Sequence, residues 1–131
     1  MNTQFINLTS NYIYLAISIY LAINKFYIYS ALAFIIWLVS HIYHTDTHNS
    51  FWSISDTITA SIGFIFVMIR CYDKVLCTQN IILLILLLCI FATSLYYYKT
   101  NMETYDIIHS VWHIFSGVFL LYLLLQKENE K

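Results

Sequence analysis

Proline is absent from this chain of 131 residues, and glycine occurs only twice, as Gly63 and Gly117. No proline therefore interrupts the long apolar runs described below. Both glycines lie within such runs, where a small residue lets membrane helices pack closely. Charged residues make up only 10% of the chain, whereas a soluble domain has about a quarter. The chain has too few polar side chains to cover a water-facing surface, which excludes an ordinary soluble domain.

Basic stretches and ordered cysteine spacing are also missing. The formal net charge is −1, and no arginine-rich segment is available to bind phosphates, so we expect no nucleic-acid partner. The cysteines, Cys71, Cys77 and Cys89, form neither a CxxC pair nor the framework of a small secreted domain. We interpret them as free thiols, and Cys89 as a packing residue in an apolar run.

Long apolar runs take up most of the chain, and 60% of its residues are hydrophobic. Each run is about 20 residues long, enough for an α-helix to cross a hydrocarbon core of roughly 30 Å. Strands are disfavoured because an open sheet edge cannot face lipid. We predict an all-α polytopic transmembrane bundle that forms a single domain over residues 1–131. The five predicted helices span about residues 5–24, 26–44, 51–70, 79–98 and 105–125.

The basic residues near the helix ends predict an orientation for this bundle. Short links force neighbouring helices to run antiparallel, and Lys99 is then the only basic residue on its side. The basic residues of the opposite side are Lys25, Arg70, Lys74, Lys127 and Lys131. Since cytoplasmic loops carry the excess of Lys and Arg, we expect that side to be cytosolic. The amino terminus then faces the outside or a lumen, and the carboxy terminus faces the cytosol. The first run lacks a basic start and a cleavage site, so we expect it to be retained.

Polar residues near the outer ends of three predicted helices form a second pattern. Ser40 and His44 lie four residues apart on the second helix, so they share one face. Asp56 lies about one turn inside the third helix, and His109 and His113 lie four apart on the fifth. The antiparallel order places these residues at similar depth near the outer or lumenal boundary. Ionisable groups inside membrane helices are costly and usually functional, so we expect a site here.

The residue types of this cluster suit a zinc site. Two histidines four apart, with a third from another helix, give three protein ligands and one open position, which is typical of catalytic zinc. Zinc makes hydroxide available at neutral pH, and a nearby carboxylate can accept the proton of the water. We predict that His44, His109 and His113 bind Zn²⁺. Asp56 then assists the water, and Ser40 hydrogen-bonds the developing oxyanion. The alternative is a polar network that only fixes helix packing.

Four other polar residues are weaker candidates. His41 lies about 60° from the face of His44, and we interpret it as an interfacial residue. Asp46 and His48 fall in the predicted outer loop, where His48 could substitute as a ligand, although a solvated position is favoured. Asp106 lies three residues before His109. It either orients a ligand histidine from outside the metal shell or simply favours the helix start.

The pattern of Ser-xxx-His, a later Asp and a final His-xxx-His resembles the CREST superfamily of membrane hydrolases. That group includes the alkaline ceramidases, the progestin and adipoQ receptors and the myomaker-like proteins. The resemblance covers the second, third and last helices, and the spacing of 12 residues between His44 and Asp56 is close to that of ceramidase-like members. It implies zinc held by the three histidines, with Asp56 and Ser40 assisting the bound water. The five helices predicted here are then a reduced version of a seven-helix fold.

These features lead to one functional prediction and two alternatives. We predict a zinc-dependent integral-membrane hydrolase that acts on a lipid amide or ester, with zinc-bound water as nucleophile. Its partners are then the bilayer and a membrane lipid substrate, and the resemblance implies ceramide-like amides. One alternative is a receptor-like or membrane-remodelling protein that keeps the zinc for structure. The other is a b-type haem protein with two histidines from different helices as axial ligands.

Overall fold

The computed structural model describes residues 3–45 and 50–129, and every element in that part of the chain is helical. The helices are α1 (Thr3–Ser10), α2 (Tyr12–Ile23), α3 (Tyr27–Thr45), α4 (Ser50–Arg70), α5 (Tyr72–Val75), α6 (Thr78–Thr100) and α7 (Met102–Glu128). The all-α prediction is confirmed. The single-turn helix α5 lies inside the link that was predicted between the third and fourth helices.

Five stretches are long and apolar enough to cross a membrane. They are Phe5–Ile23, Tyr27–Thr45, Phe51–Arg70, Thr78–Thr100 and Met102–Glu128, close to the five predicted helices. The largest difference is in the last one, which begins and ends three residues beyond its predicted bounds. Large apolar side chains such as those of Ile28, Ile69 and Ile82 are exposed along these helices. The fold is therefore compatible with an integral membrane protein.

The first membrane-length stretch is divided at Asn11, although the chain contains no proline to break a helix. Here the N–H of Tyr14 donates to the carbonyl of Asn11, a tight turn of the 3₁₀ type. The buried Asn11 side chain donates to the carbonyl of Trp37 on α3 at 3.2 Å. As a result, α1 packs mainly against α7, whereas α2 packs mainly against α3.

Helix α7 is the centre of the bundle. It contacts α1, α2, α4, α5 and α6, and α3 joins α2 to α4 on the far side. In the described part of the chain the backbones of α4 and α6 do not come close to each other, so a groove remains between them with α7 as its floor. Helices α2 and α7 approach closely at Gly117, where an added Cβ would lie 3.0 Å from Cδ1 of Ile17. The sequence-based expectation of close helix packing at this glycine is confirmed.

Polar contacts join several helix ends at one end of the bundle. Lys127 Nζ donates to Asp73 Oδ2 at 2.8 Å, and the adjacent ammonium holds the pKa of the Asp73 carboxyl below its usual value. Arg70 Nε donates to the hydroxyl of Tyr29 at 3.1 Å. The structure therefore places basic residues from α4 and α7 at a common end of the bundle. Lys131 lies outside the described residues.

The link between α2 and α3 turns at Lys25, which has a positive φ of 66°. The N–H of Phe26 donates to the carbonyl of Leu21 and that of Lys25 to Ala22, the two hydrogen bonds of a Schellman motif. Phe26 also packs against the cluster that contains Leu21. This left-handed position favours glycine, because a Cβ there crowds the backbone.

We expect Lys25→Gly to stabilise the protein by about 1 kcal/mol, because it relieves the left-handed strain of a non-glycine residue. Lys25→Ala is the matched control, since it removes the same charged side chain but keeps the Cβ. The measurement is thermal unfolding of the purified protein in detergent. Equal melting temperatures for the two variants would show that charge, and not backbone strain, governs this position.

Candidate metal centre

Three histidines from two helices meet in the interior of the bundle. His44 comes from the last turn of α3, and His109 and His113 come from successive turns of α7. Each offers a ring nitrogen, and these nitrogens all lie within 4.8 Å of one another. The exposed fractions of the three residues are 3%, 7% and 2%. The structure thus brings together the predicted ligands as a buried group that could hold a metal ion.

The spacing of the ring nitrogens decides how well such an ion fits. Two nitrogens on one tetrahedral zinc lie about 3.3 Å apart, given Zn–N bonds of about 2.0–2.1 Å. The widest separation here is 4.8 Å or less, so side-chain rotations must close about 1.5 Å at most. The spacing of the three imidazoles is therefore compatible with a metal ion after movements of the side chains by this amount.

His109 has the clearest need for a further partner. Neither of its buried ring nitrogens has a hydrogen-bond partner among the described residues. Its ring stacks on Tyr105 and Trp112, with centroid distances of 4.8 and 5.5 Å. Aromatic faces orient the ring, but they leave its nitrogens unsatisfied. Buried polar atoms are nearly always paired in proteins, so a bound group at this position would remove a substantial cost.

The other two histidines have polar contacts with α1. Ser10 Oγ lies 3.3 Å from His113 Nδ1, and Asn7 Nδ2 lies 3.4 Å from His44 Nδ1. The same Asn7 amide donates to Asp106 Oδ1 at 3.3 Å. Tyr14, a buried residue of α2, also contacts His113. The two rings meet in a T-shaped arrangement, and the Tyr14 hydroxyl forms a hydrogen bond of 2.6 Å with Ser116 Oγ.

Sequence analysis missed the contribution of the first helix. No site was predicted in the first apolar run. The available signal was spacing, since Asn7, Asn11, Tyr14 and Ser18 follow one another at intervals of four, three and four. Such intervals place polar side chains on one helical face. All four side chains are buried, and Asn7 and Asn11 are almost fully enclosed.

Asp106 has two candidate roles, which are to orient a ligand histidine or to favour the start of α7. It is buried and reaches His44 through the amide of Asn7, which agrees with an orienting role. The start of α7 is instead capped by Asn101, whose side chain accepts the N–H of Thr104 at 3.1 Å. This cap does not involve Asp106, so both roles of Asp106 stay predictions.

Asp56 and Ser40 lie beside the histidine cluster, and both are buried. The Ser40 hydroxyl lies near the Asp56 carboxyl. It forms no hydrogen bond with any atom of the described residues. Asp56 and His109 line the same groove between α4, α6 and α7. The predicted pair thus lies in the same region as the predicted ligands, with Asp56 on the groove side.

The groove is a cavity of about 260 Å³. Its polar lining lies on α4 and at His109, while the wall formed by α6 is apolar. The lining residues are Asp56, Thr57, Ala60, Ser61, Phe64, Ile65, Leu87, Leu88, Phe91, His109 and Trp112. A molecule in this groove would have an apolar part against α6 and a polar part near Asp56 and His109.

His41 is the remaining histidine among the described residues, and it does not join the group. The ring of His41 packs against Tyr12 and Trp37, with centroid distances of 5.7 and 5.4 Å, as expected for a residue off the ligand face. Asp46 and His48 lie outside the described residues, so the role of His48 as a substitute ligand stays a prediction.

We expect the purified wild-type protein to bind one metal ion per chain and His113→Ala to bind none, because the centre then loses one of its three imidazoles. His41→Ala is the matched control, since it removes a histidine that packs outside the cluster. The measurement is elemental analysis of protein purified without chelators. Retention of metal by His113→Ala at the wild-type ratio would show that the ion binds elsewhere.

No family model matches the chain, and neither a curated protein nor a solved structure matches it. The resemblance to the CREST superfamily therefore stays a prediction that rests on the sequence motif.

Proposed function

We propose that the protein is a zinc-dependent integral-membrane hydrolase that cleaves an amide or ester bond of a membrane lipid. The observation that supports it most is a buried group of three imidazoles whose nitrogens lie within 4.8 Å, next to a groove that contains a carboxylate. The sequence resemblance points in the same direction and suggests ceramide-like amides.

Zinc is the metal that we propose among those that imidazole suits, which also include copper, iron and nickel. Three neutral imidazoles without a thiolate suit zinc, and three protein ligands leave one position open for water or substrate. When bound, zinc would supply the Lewis acidity that makes hydroxide available at neutral pH and polarises a carbonyl. His44, His109 and His113 would hold it.

Asp56 and Ser40 would provide the remaining chemistry. Asp56 would accept the proton that the attacking water loses and pass it to the departing amine or alcohol, as a general base and then a general acid. Ser40 lies beside Asp56 with its hydroxyl uncommitted among described atoms, so it could donate to the oxyanion that forms on the carbonyl. Both residues are buried, which strengthens such electrostatic contacts.

The groove would receive the acyl part of the lipid. Its opening lies between α4 and α6, and its rim includes the exposed side chains of Ile65 and Leu88. A lipid would therefore enter sideways, with its chain against α6 and its carbonyl near His109. Contact with apolar side chains would stabilise the acyl chain of the lipid within the groove, and the polar wall of α4 would orient the bond to be cleaved.

We propose that this centre lies near the outer or lumenal face of the membrane. The support is the excess of basic residues at the opposite end of the bundle, where Arg70 and Lys127 lie. Lys99 lies in the last turn of α6, at the histidine end of the bundle. The amino terminus is then outside or lumenal, and the carboxy terminus is cytosolic.

We expect Asp56→Asn to lower hydrolysis of labelled lipid amides or esters by about 10²- to 10⁴-fold, because the amide cannot accept a proton. Metal content should stay at the wild-type ratio, since Asp56 is not one of the three proposed ligands. Glu103→Gln is the matched control, an exposed carboxylate-to-amide change at the same end of the bundle.

Two outcomes would contradict the proposal in different ways. Stoichiometric zinc without turnover of any amide or ester lipid by the wild type would remove the hydrolase and leave a structural metal centre, as in a receptor-like protein. A red sample with a haem absorption band would replace zinc by haem.

A further inference from the structure

We propose that Ser10 is a positioning residue of the metal centre and fixes the tautomer in which His113 presents its Nε2 lone pair to the ion. The inference rests on the proposed metal centre, but it does not depend on hydrolysis. It assigns a role to α1, a segment outside the motif that predicted the site.

The argument begins with the single proton of the Ser10 hydroxyl. Ser10 Oγ donates that proton to the main-chain carbonyl of Asn7 at 2.8 Å. A serine hydroxyl has one proton and two lone pairs, so the second contact of Ser10 must be made as an acceptor. That contact is with His113 Nδ1, at 3.3 Å.

It follows that His113 Nδ1 is the nitrogen that carries the proton. In a neutral imidazole the other nitrogen is then an acceptor with a free lone pair. A histidine that ligates a metal in proteins commonly donates its second ring N–H to a nearby oxygen, which fixes both the tautomer and the ring orientation. Ser10 supplies that oxygen, because its own proton is donated to the Asn7 carbonyl.

Packing around His113 leaves little freedom for the ring. The side chain is almost fully buried, and Tyr14 meets it edge-on with a centroid distance of 5.9 Å. His109 approaches from the other side, with a centroid distance of 4.5 Å. Ring rotation is thus restricted by aromatic contacts, and the proton position is selected by Ser10.

The break at Asn11 brings Ser10 to this position. Because α1 and α2 are separate helices, α1 can pack along α7 while α2 packs along α3. Ser10 is the last residue of α1, and its side chain is half-buried at the α7 interface. Ser10 and His113 are far apart in sequence, and they come into contact because the first span is divided at Asn11.

His44 provides an internal contrast. Its Nδ1 faces the amide nitrogen of Asn7, which also donates to Asp106. In that arrangement Asn7 is a donor to His44, so binding through His44 Nε2 requires the Asn7 amide to turn its oxygen toward the ring. His113 needs no such change, which makes it the histidine that is already arranged for the metal.

The test compares Ser10→Ala with Ser10→Thr, which restores a hydroxyl, and with Thr9→Val as a matched control. Thr9 is exposed, and its hydroxyl donates to the Phe5 carbonyl. The first readout is the ring ¹⁵N spectrum of metal-free, histidine-labelled protein in detergent, with His113→Gln used to assign the signal. The second is Zn²⁺ affinity by competition with a chelating dye.

We expect wild-type His113 to be protonated at Nδ1, and Ser10→Ala to show both tautomers. Zn²⁺ affinity of Ser10→Ala should fall by about 10- to 100-fold, the usual effect of removing such a partner. Ser10→Thr should restore both properties, and Thr9→Val should match the wild type.

The inference is overturned if wild-type His113 is protonated at Nε2, or if Ser10→Ala binds Zn²⁺ as tightly as Thr9→Val. Failure of the wild type to bind Zn²⁺ would overturn the metal centre and, with it, the role of Ser10. Zinc binding without lipid hydrolysis would overturn the proposed enzyme alone. A loss of affinity in Ser10→Ala with an unchanged ¹⁵N spectrum would overturn the tautomer argument.

Discussion

The structure depends on one constraint: polar side chains inside an apolar bundle must find partners within it, since hydrocarbon offers none. The polar face of the first two helices satisfies this constraint in part for His44 of α3 and for His113 and Ser116 of α7. Asn7 and Ser10 contact His44 and His113, and Tyr14 bonds Ser116. The close packing of α1 on α7 follows from these contacts as much as from shape.

Much of the fold could be predicted from sequence because membrane-length apolar runs leave little choice of secondary structure. The division at Asn11 could not, since it depends on a tight turn and on a hydrogen bond to Trp37 on another helix. The left-handed turn at Lys25 was equally hidden, because that position carries none of the residues that signal such a conformation. Both features arise from local geometry that composition does not encode.

The candidate site shows the same division. His44, His109 and His113 were predictable because helical spacing and antiparallel order alone place them at one depth. Ser10 and Asn7 were not, because their roles depend on how the first span leans against α7. The groove was also unforeseen, since it results from the separation between the backbones of α4 and α6 in the described part of the chain. Sequence motifs thus predicted which histidines come together, and tertiary packing determined their surroundings.

The open side between α4 and α6 has a consequence for how this protein would encounter small molecules. A cavity whose mouth faces acyl chains responds to the mole fraction of a solute in the bilayer, and its aqueous concentration matters only through partitioning. Two-dimensional diffusion would then govern the encounter rate. Changes in lipid composition or bilayer thickness would act on the protein as directly as a change in ligand supply.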